Sequence, residues 1–145
     1  MSKSLYLVAV DGGEWGNRAA DRAIQLAEKT RAKVKLVTVV DWPYLHPMII
    51  EDVTPPVLDK EAEELKIKAN VLTPLAEKYN SSTTNITTEL LWGDPAVIIK
   101  EQVTETHAVM LFVGRQGRST VVDALFGSVA NKLAHTVGIP IVLVP

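Results

Sequence analysis

The chain contains no cysteine. That excludes disulfides, thiolate metal sites and a cysteine nucleophile. Histidine is scarce: His46, His107 and His135 stand far apart, with no His-x3-His or carboxylate–His spacing between them. A metal site built from protein ligands alone is therefore not expected. Charge of one sign is not in excess. Fifteen Lys and Arg face 17 Asp and Glu, for a net charge of -2, so no overall basic field invites nucleic acid or an anionic membrane. No apolar run approaches the ~20 residues that span a bilayer. The opening MSKSLYLVAVDGG has a short apolar stretch but no cleavage-type site. It reads as a first strand entering a polar turn, and the cytoplasm is the expected compartment. Internal repeats, low-complexity tracts and linkers are also missing, which leaves one domain over residues 1–145.

What is present is an ordinary globular composition, 47% hydrophobic and 22% charged. Apolar runs of strand length fall at 5–10, 34–40, 86–92, 108–113 and 139–144. They alternate with helical patterns. Ala20, Ala23, Ile24 and Ala27 share one helical face. Leu58, Ala62, Leu65, Ala69, Leu72 and Tyr79 form a second stripe, predicted to face the core, with Pro74 placed to kink it. Asp94-Pro95 predicts a capped helix start. Val129, Ala130, Leu133, Ala134 and Val137 make a last stripe, stopped by Gly138 and Pro140. Residues 41–57 hold four prolines with Trp42 and Tyr44, a long loop. Continuous apolar strands alternating with helices predict an α/β three-layer sandwich with a parallel sheet. Ligands of such sheets bind beyond the carboxyl ends of the strands, where strand order reverses.

One such end carries a distinctive loop, GRQGRSTVVDALFGSV, from Gly114 to Val129. Gly114 permits close approach to the main chain, and Gly117 permits a left-handed turn that can gather N–H groups into an anion nest. Gly127 and Ser128 stand where the last helix begins, with its unpaired N–H donors and positive dipole end. Arg115 and Arg118 add charge. Every component suits a polyphosphate. The same residues also fit turn punctuation, a helix cap and solvated arginines. Neither Gly-Lys-Ser/Thr nor GxGxxG is present, so this is not a Walker or Rossmann loop.

The spacing Gly114-x2-Gly117-x9-Gly127-Ser128, between VMLFVG and IPIVLVP, resembles the nucleotide-binding signature of the universal stress protein family. LVAVDGG, VTVVD and WGDPAVIIKE resemble that family's first strand, second strand and third-helix opening, so the likeness runs along nearly the whole chain. It implies an open five-stranded sheet in order 3-2-1-4-5, a homodimer, and ATP as ligand. Residue by residue, it places Asp11 at the ribose–phosphate side and Ala9 and Val10 under the adenosine. The Val39 main chain would meet the adenine edge. Gly114, Gly117, Gly127, Ser128 and Val129 would surround the phosphates, with Arg115 and Arg118 beside them. Asp11 and Asp41 would stand near an ATP-bound Mg²⁺; Asp41 also fits a plain exposed loop residue. The sequence departs from the family at Gly13, where a serine is common, and at His107, where an acidic residue is.

Strand 139–144 is apolar on both faces and falls at a sheet edge in that order. An exposed apolar edge needs a cover, so a two-fold homodimer through residues 139–144 is expected. No partner other than an adenine nucleotide and a second copy is indicated. Asp11-Gly12-Gly13-Glu14 also resembles, in part, the phosphate loop of ATP pyrophosphatases, but that loop's serine and second Asp-Ser are missing. Ser119 and Thr120 have no histidine in register to activate them. The leading expectation is an ATP-binding, nucleotide-responsive stress regulator with at most very slow hydrolysis. The alternative is a dimeric interaction module whose pocket is vestigial or holds another adenine nucleotide.

Overall fold

Strands form where apolar and β-branched residues gather, nearly unbroken in the central ones because both of their faces are covered. In the computed structural model, which describes residues 3–40, 60–116 and 128–145, these are β1 (Leu5–Ala9), β2 (Lys33–Val40), β3 (Ile86–Trp92), β4 (Met110–Gly114) and β5 (Ile141–Val144). They pair in parallel in the order β3-β2-β1-β4-β5. This is the α/β architecture and strand order expected. β5 starts at Ile141, two residues later than the apolar run, because Pro140 has no N–H to give the ladder.

Helix α1 (Glu14–Thr30) lays Ala19, Ala20, Ala23, Ile24 and Ala27 on one face of the sheet. There they join Tyr6, Val8, Val34, Leu36 and Phe112 in one core. Helices α4 (Pro95–Thr106) and α5 (Ser128–Thr136) cover the other face, where Ile99, Val103, Ala130 and Leu133 meet Leu7, Val37 and Leu111. Leu7, Leu36, Leu111 and Leu133 are fully buried, and each such side chain stabilises the fold by about 1.5–3 kcal/mol. The start of α4 is as predicted. Asp94 accepts the Ala96 N–H at 2.9 Å, with Pro95 in the first helical position.

The stripe from residue 58 to 79 follows the expectation only in its second half. Leu58 lies outside the described residues. Helix α2 (Lys60–Ile67) has no buried side chain, and Leu65 is 69% exposed. Residues 68–72 wind as a wider π turn, in which Thr73 N–H bonds the Lys68 carbonyl five residues back. A helix with Pro74 in its first turn, α3 (Thr73–Lys78), follows. Of the predicted stripe, Ala62, Leu65 and Ala69 are exposed, whereas Leu72 is buried and Tyr79 packs against the core as expected; Val71 and Leu75 join them there. Pro74 sits after the irregularity, where a missing N–H is tolerated. No helix among the described residues is long and apolar enough to cross a membrane.

Candidate functional site

At the carboxyl end of β1, Val10 N–H still bonds the Val37 carbonyl at 2.9 Å, and then the chain turns. The Asp11 carboxylate accepts the Gly13 N–H at 2.9 Å. Gly12 takes φ 85°, the left-handed conformation glycine adopts without strain. Together these make an Asx turn that sets the Asp11 carboxylate beside the first turn of α1. Gly13 is the N-cap, with φ -86° and no side chain to bond the helix. That conformation suits any residue. The departure from serine at this position therefore removes a hydroxyl without altering the path of the main chain.

Two glycines fix how closely α1 meets the sheet. A Cβ on Gly16 would stand 3.2 Å from Asp11 Oδ1 and 3.3 Å from the Asp11 nitrogen and Val10 Cα. A Cβ on Gly114 would stand 2.6 Å from Trp15 Cβ and 2.7 Å from the Trp15 carbonyl carbon. The sequence suggests room for a ligand at Gly114. The structure shows that its bare Cα is already needed for the first turn of α1. Gly16 and Trp15 escape a reading of the sequence. A glycine inside the first turn of a helix, where it is disfavoured, is the available signal for the first of them.

Ala9, Val39 and Val129 pack against a single cluster on the face covered by α4 and α5. Val10 turns to the opposite face and is buried in the α1 core. Gly114 lies beside Val144 in the sheet, and Arg115 N–H continues that pairing to the Val144 carbonyl at 2.8 Å, with its side chain exposed. Ser128 opens α5. Thus Ala9, Val10, Asp11, Val39, Gly114, Arg115 and Val129 come to one edge of the sheet, with Ser128 at the helix start beside them. Gly117, Arg118, Gly127 and Asp41 lie outside the described residues, as do Trp42, Tyr44, His46, Ser119 and Thr120.

This edge gathers a carboxylate, the ends of β1, β2 and β4, and the starts of α1 and α5. Helix starts on either face of this edge suit a negatively charged ligand, and the apolar ends of β1 and β2 suit a flat base. His107 caps the carboxyl end of α4, and His135 lies in the last turn of α5. Both helices run back toward the starts of the strands, so neither imidazole is placed to serve as a base here. Among the described residues no group of three or more His, Asp or Glu is arranged to hold a metal. A cavity of about 570 Å³ lies elsewhere, between the π turn, α3 and β3, lined by Lys68, Glu77, Asn80 and Thr88 among others.

Comparison with known proteins agrees with this architecture. The Universal stress protein family profile matches residues 6–145. The stress response protein NhaX of Bacillus subtilis is 27% identical over a 164-residue alignment that covers 95% of each chain. A universal stress protein crystallised in complex with cAMP superposes with TM-score 0.70 at 24% identity, over 99% of this chain and 98% of the other. The universal stress protein from Archaeoglobus fulgidus in complex with dAMP gives 0.71 at 18% identity over the whole of both chains. At that identity the structural likeness is one of fold. The sequence match from Tyr6 to the end of the chain decides the classification: this protein belongs to the universal stress protein family.

Proposed function

We propose that the protein binds an adenine nucleotide, ATP in the first instance, and acts as a nucleotide-responsive regulator in the cytoplasm instead of as a metabolic catalyst. The observation that carries this reading is the meeting at one sheet edge of the Asp11 turn, the end of β2 and the starts of α1 and α5. Structures of the same fold solved with cAMP and dAMP support an adenine ligand. The base would lie over Ala9 toward Val39. The ribose and phosphates would run past Asp11 toward Gly114, Ser128 and Val129, and on to Gly117 and Gly127. Mg²⁺ would enter with the phosphates, with Asp11 and Asp41 the nearest carboxylates by sequence. The ion would neutralise phosphate charge. The chain's own part is to orient the nucleotide through helix starts and main-chain donors. With no histidine placed at this edge among the described residues, and the Asp11 carboxylate bonded to the Gly13 N–H, hydrolysis is expected to be very slow at most.

A second reading has an observation in its favour. The bare face of Gly114 is occupied by Trp15, and Gly13 lacks the hydroxyl, so part of the glycine pattern is explained by packing alone. An interaction module with a vestigial pocket would retain these features. Denaturing the purified protein and identifying the released nucleotide by chromatography and mass separates the two. No nucleotide released, and none bound in calorimetry, would leave the interaction module.

The exposed Arg115 side chain, with Arg118, is expected to favour a third phosphate. A charge-assisted bond that is partly screened supports a preference for ATP over ADP of up to about tenfold. Calorimetry on Arg115→Ala and Arg118→Ala should show that preference narrowed, and added salt should narrow it in the parent. An unchanged ratio in both variants would assign the two arginines to the solvated surface.

Assembly through β5 is part of the same proposal. Leu143 is 36% exposed on this edge strand, whereas Val142 packs against the α1 core. Leu143→Lys is therefore the sharper test of a homodimer. Sedimentation should show a dimer in the parent and a monomer in the variant; a concentration-independent monomer in the parent would end the idea.

A further inference from the structure

One indole stands beside the proposed base site without being used by it. Trp92 ends β3 in register with Val40, the last residue of β2, and Gly93 N–H bonds the Val40 carbonyl at 3.0 Å. Val39, the expected adenine contact, is the next residue back along β2. On its other side the Trp92 Nε1–H donates to Glu64 Oε1 at 2.5 Å, and Lys60 Nζ stands 5.1 Å from the ring centroid. Lys60 and Glu64 are four residues apart and so share one face of α2.

The two sides of this contact are unlike in how firmly they are held. The turn after Trp92 is tight: Gly93 has φ 143°, and a Cβ there would stand 2.8 Å from Ile98 Cγ1. The strand end is thereby fixed against α4. Helix α2, by contrast, has no fully buried side chain, and only its last residue, Ile67, packs against the core. It meets Trp92 through a charged hydrogen bond and a cation over the ring. Such contacts are directional and can be lost without opening the core. The element free to respond is α2.

We infer that Trp92 is a positioning residue that couples nucleotide occupancy at the end of β2 to the attachment of helix α2. The inference rests on the nucleotide reading above. A base bound against Val39 steadies the β2 end. Pairing passes this to Trp92, and α2 is then held more firmly through Glu64 and Lys60. Coupling of binding free energies is reciprocal, so a loosened α2 weakens the nucleotide.

The test uses the full chain with ATP as the probe. Amide exchange is followed in residues 60–67 and, as a reference, in 95–106. Calorimetry on the same samples gives the dissociation constant. In the parent, ATP should slow exchange in α2. In Trp92→Phe, which keeps a ring and loses the donor, ATP should no longer do so. Its dissociation constant should rise at least about fivefold, the lower end of ordinary coupling. Glu64→Ala, made on the helix side, should reproduce both effects with α4 exchange unchanged, which answers the objection that Trp92→Phe merely loosens the sheet. Binding with no change of α2 exchange in the parent overturns the coupling and leaves the nucleotide reading standing. Tight ATP binding by both variants also overturns it. No ATP binding by the parent overturns both together.

Discussion

Gly114→Ala is expected to lower the stability of the fold, even though the residue lies at the proposed ligand site. The new Cβ would lie 2.6 Å from Trp15 Cβ and 2.7 Å from its carbonyl carbon. The main chain of a helix cannot rotate out of the way as a side chain can. Nor can α1 withdraw, because Ala19, Ala20, Ala23 and Ala27 are packed against the sheet with no exposure. Overpacking of this kind costs about 1–3 kcal/mol, which lowers the melting temperature of a domain of this size by roughly 3–10 °C. Displacing the first turn of α1 also displaces Asp11, whose carboxylate holds the Gly13 N–H. Nucleotide binding should therefore weaken in the same variant. Thermal melting with and without ATP checks both effects. An unchanged melting temperature with binding lost would mean that the position serves the ligand alone.

Leu133→Ala should have the largest effect on stability. Leu133 is fully buried in α5, the helix whose start carries Ser128 and Val129. Removing such a side chain leaves a cavity and costs about 2–5 kcal/mol, a large share of the 5–15 kcal/mol typical of a domain. If nucleotide binds at the start of α5, it stabilises only the docked helix. ATP at about 100 times its dissociation constant in the variant should then restore about 2.7 kcal/mol. Urea unfolding with and without ATP measures this. Full loss of stability with no recovery at saturating ATP would show that the start of α5 is not part of the site.

The strands are legible because a parallel sheet buries both of their faces, so residues such as Leu5–Ala9 and Lys33–Val40 appear as near-continuous apolar runs. Asp94-Pro95 is legible because a cap and an N-terminal proline act within one turn. Periodicity reads Leu72 and Tyr79 correctly but misreads Ala62 and Leu65, because a helical stripe does not reveal that α2 stands off the sheet. The π turn at Lys68–Leu72 adds one residue, which lets Val71 and Leu75 join Leu72 in the core, and nothing local in KANVL announces it. At the site, Asp11 and Gly12 are legible as a turn. Gly114 is legible only as a close approach. Sequence says that no Cβ fits there; the partner, Trp15, comes from almost a hundred residues earlier and is a tertiary fact. For the same reason Trp92, an ordinary strand residue by pattern, shows nothing of Glu64 and Lys60.

The position of β1 has a consequence for the order in which the molecule is built. Tyr6 is aligned with Val34 on one side and with Met110 on the other. The first flank closes across helix α1, once β2 has been synthesised. The second waits until β4 emerges from the ribosome. At 5–20 residues per second, the interval between Val40 and Gly114 is roughly 4–15 s. Through that time the nascent sheet ends at β1, with the unpaired N–H and C=O groups of Leu5–Ala9 exposed along an apolar strand that invites foreign pairing. In the finished protein β1 is the most enclosed strand. During translation it is the one left longest with an open side, and a chaperone that masks sheet edges would have its most productive moment there.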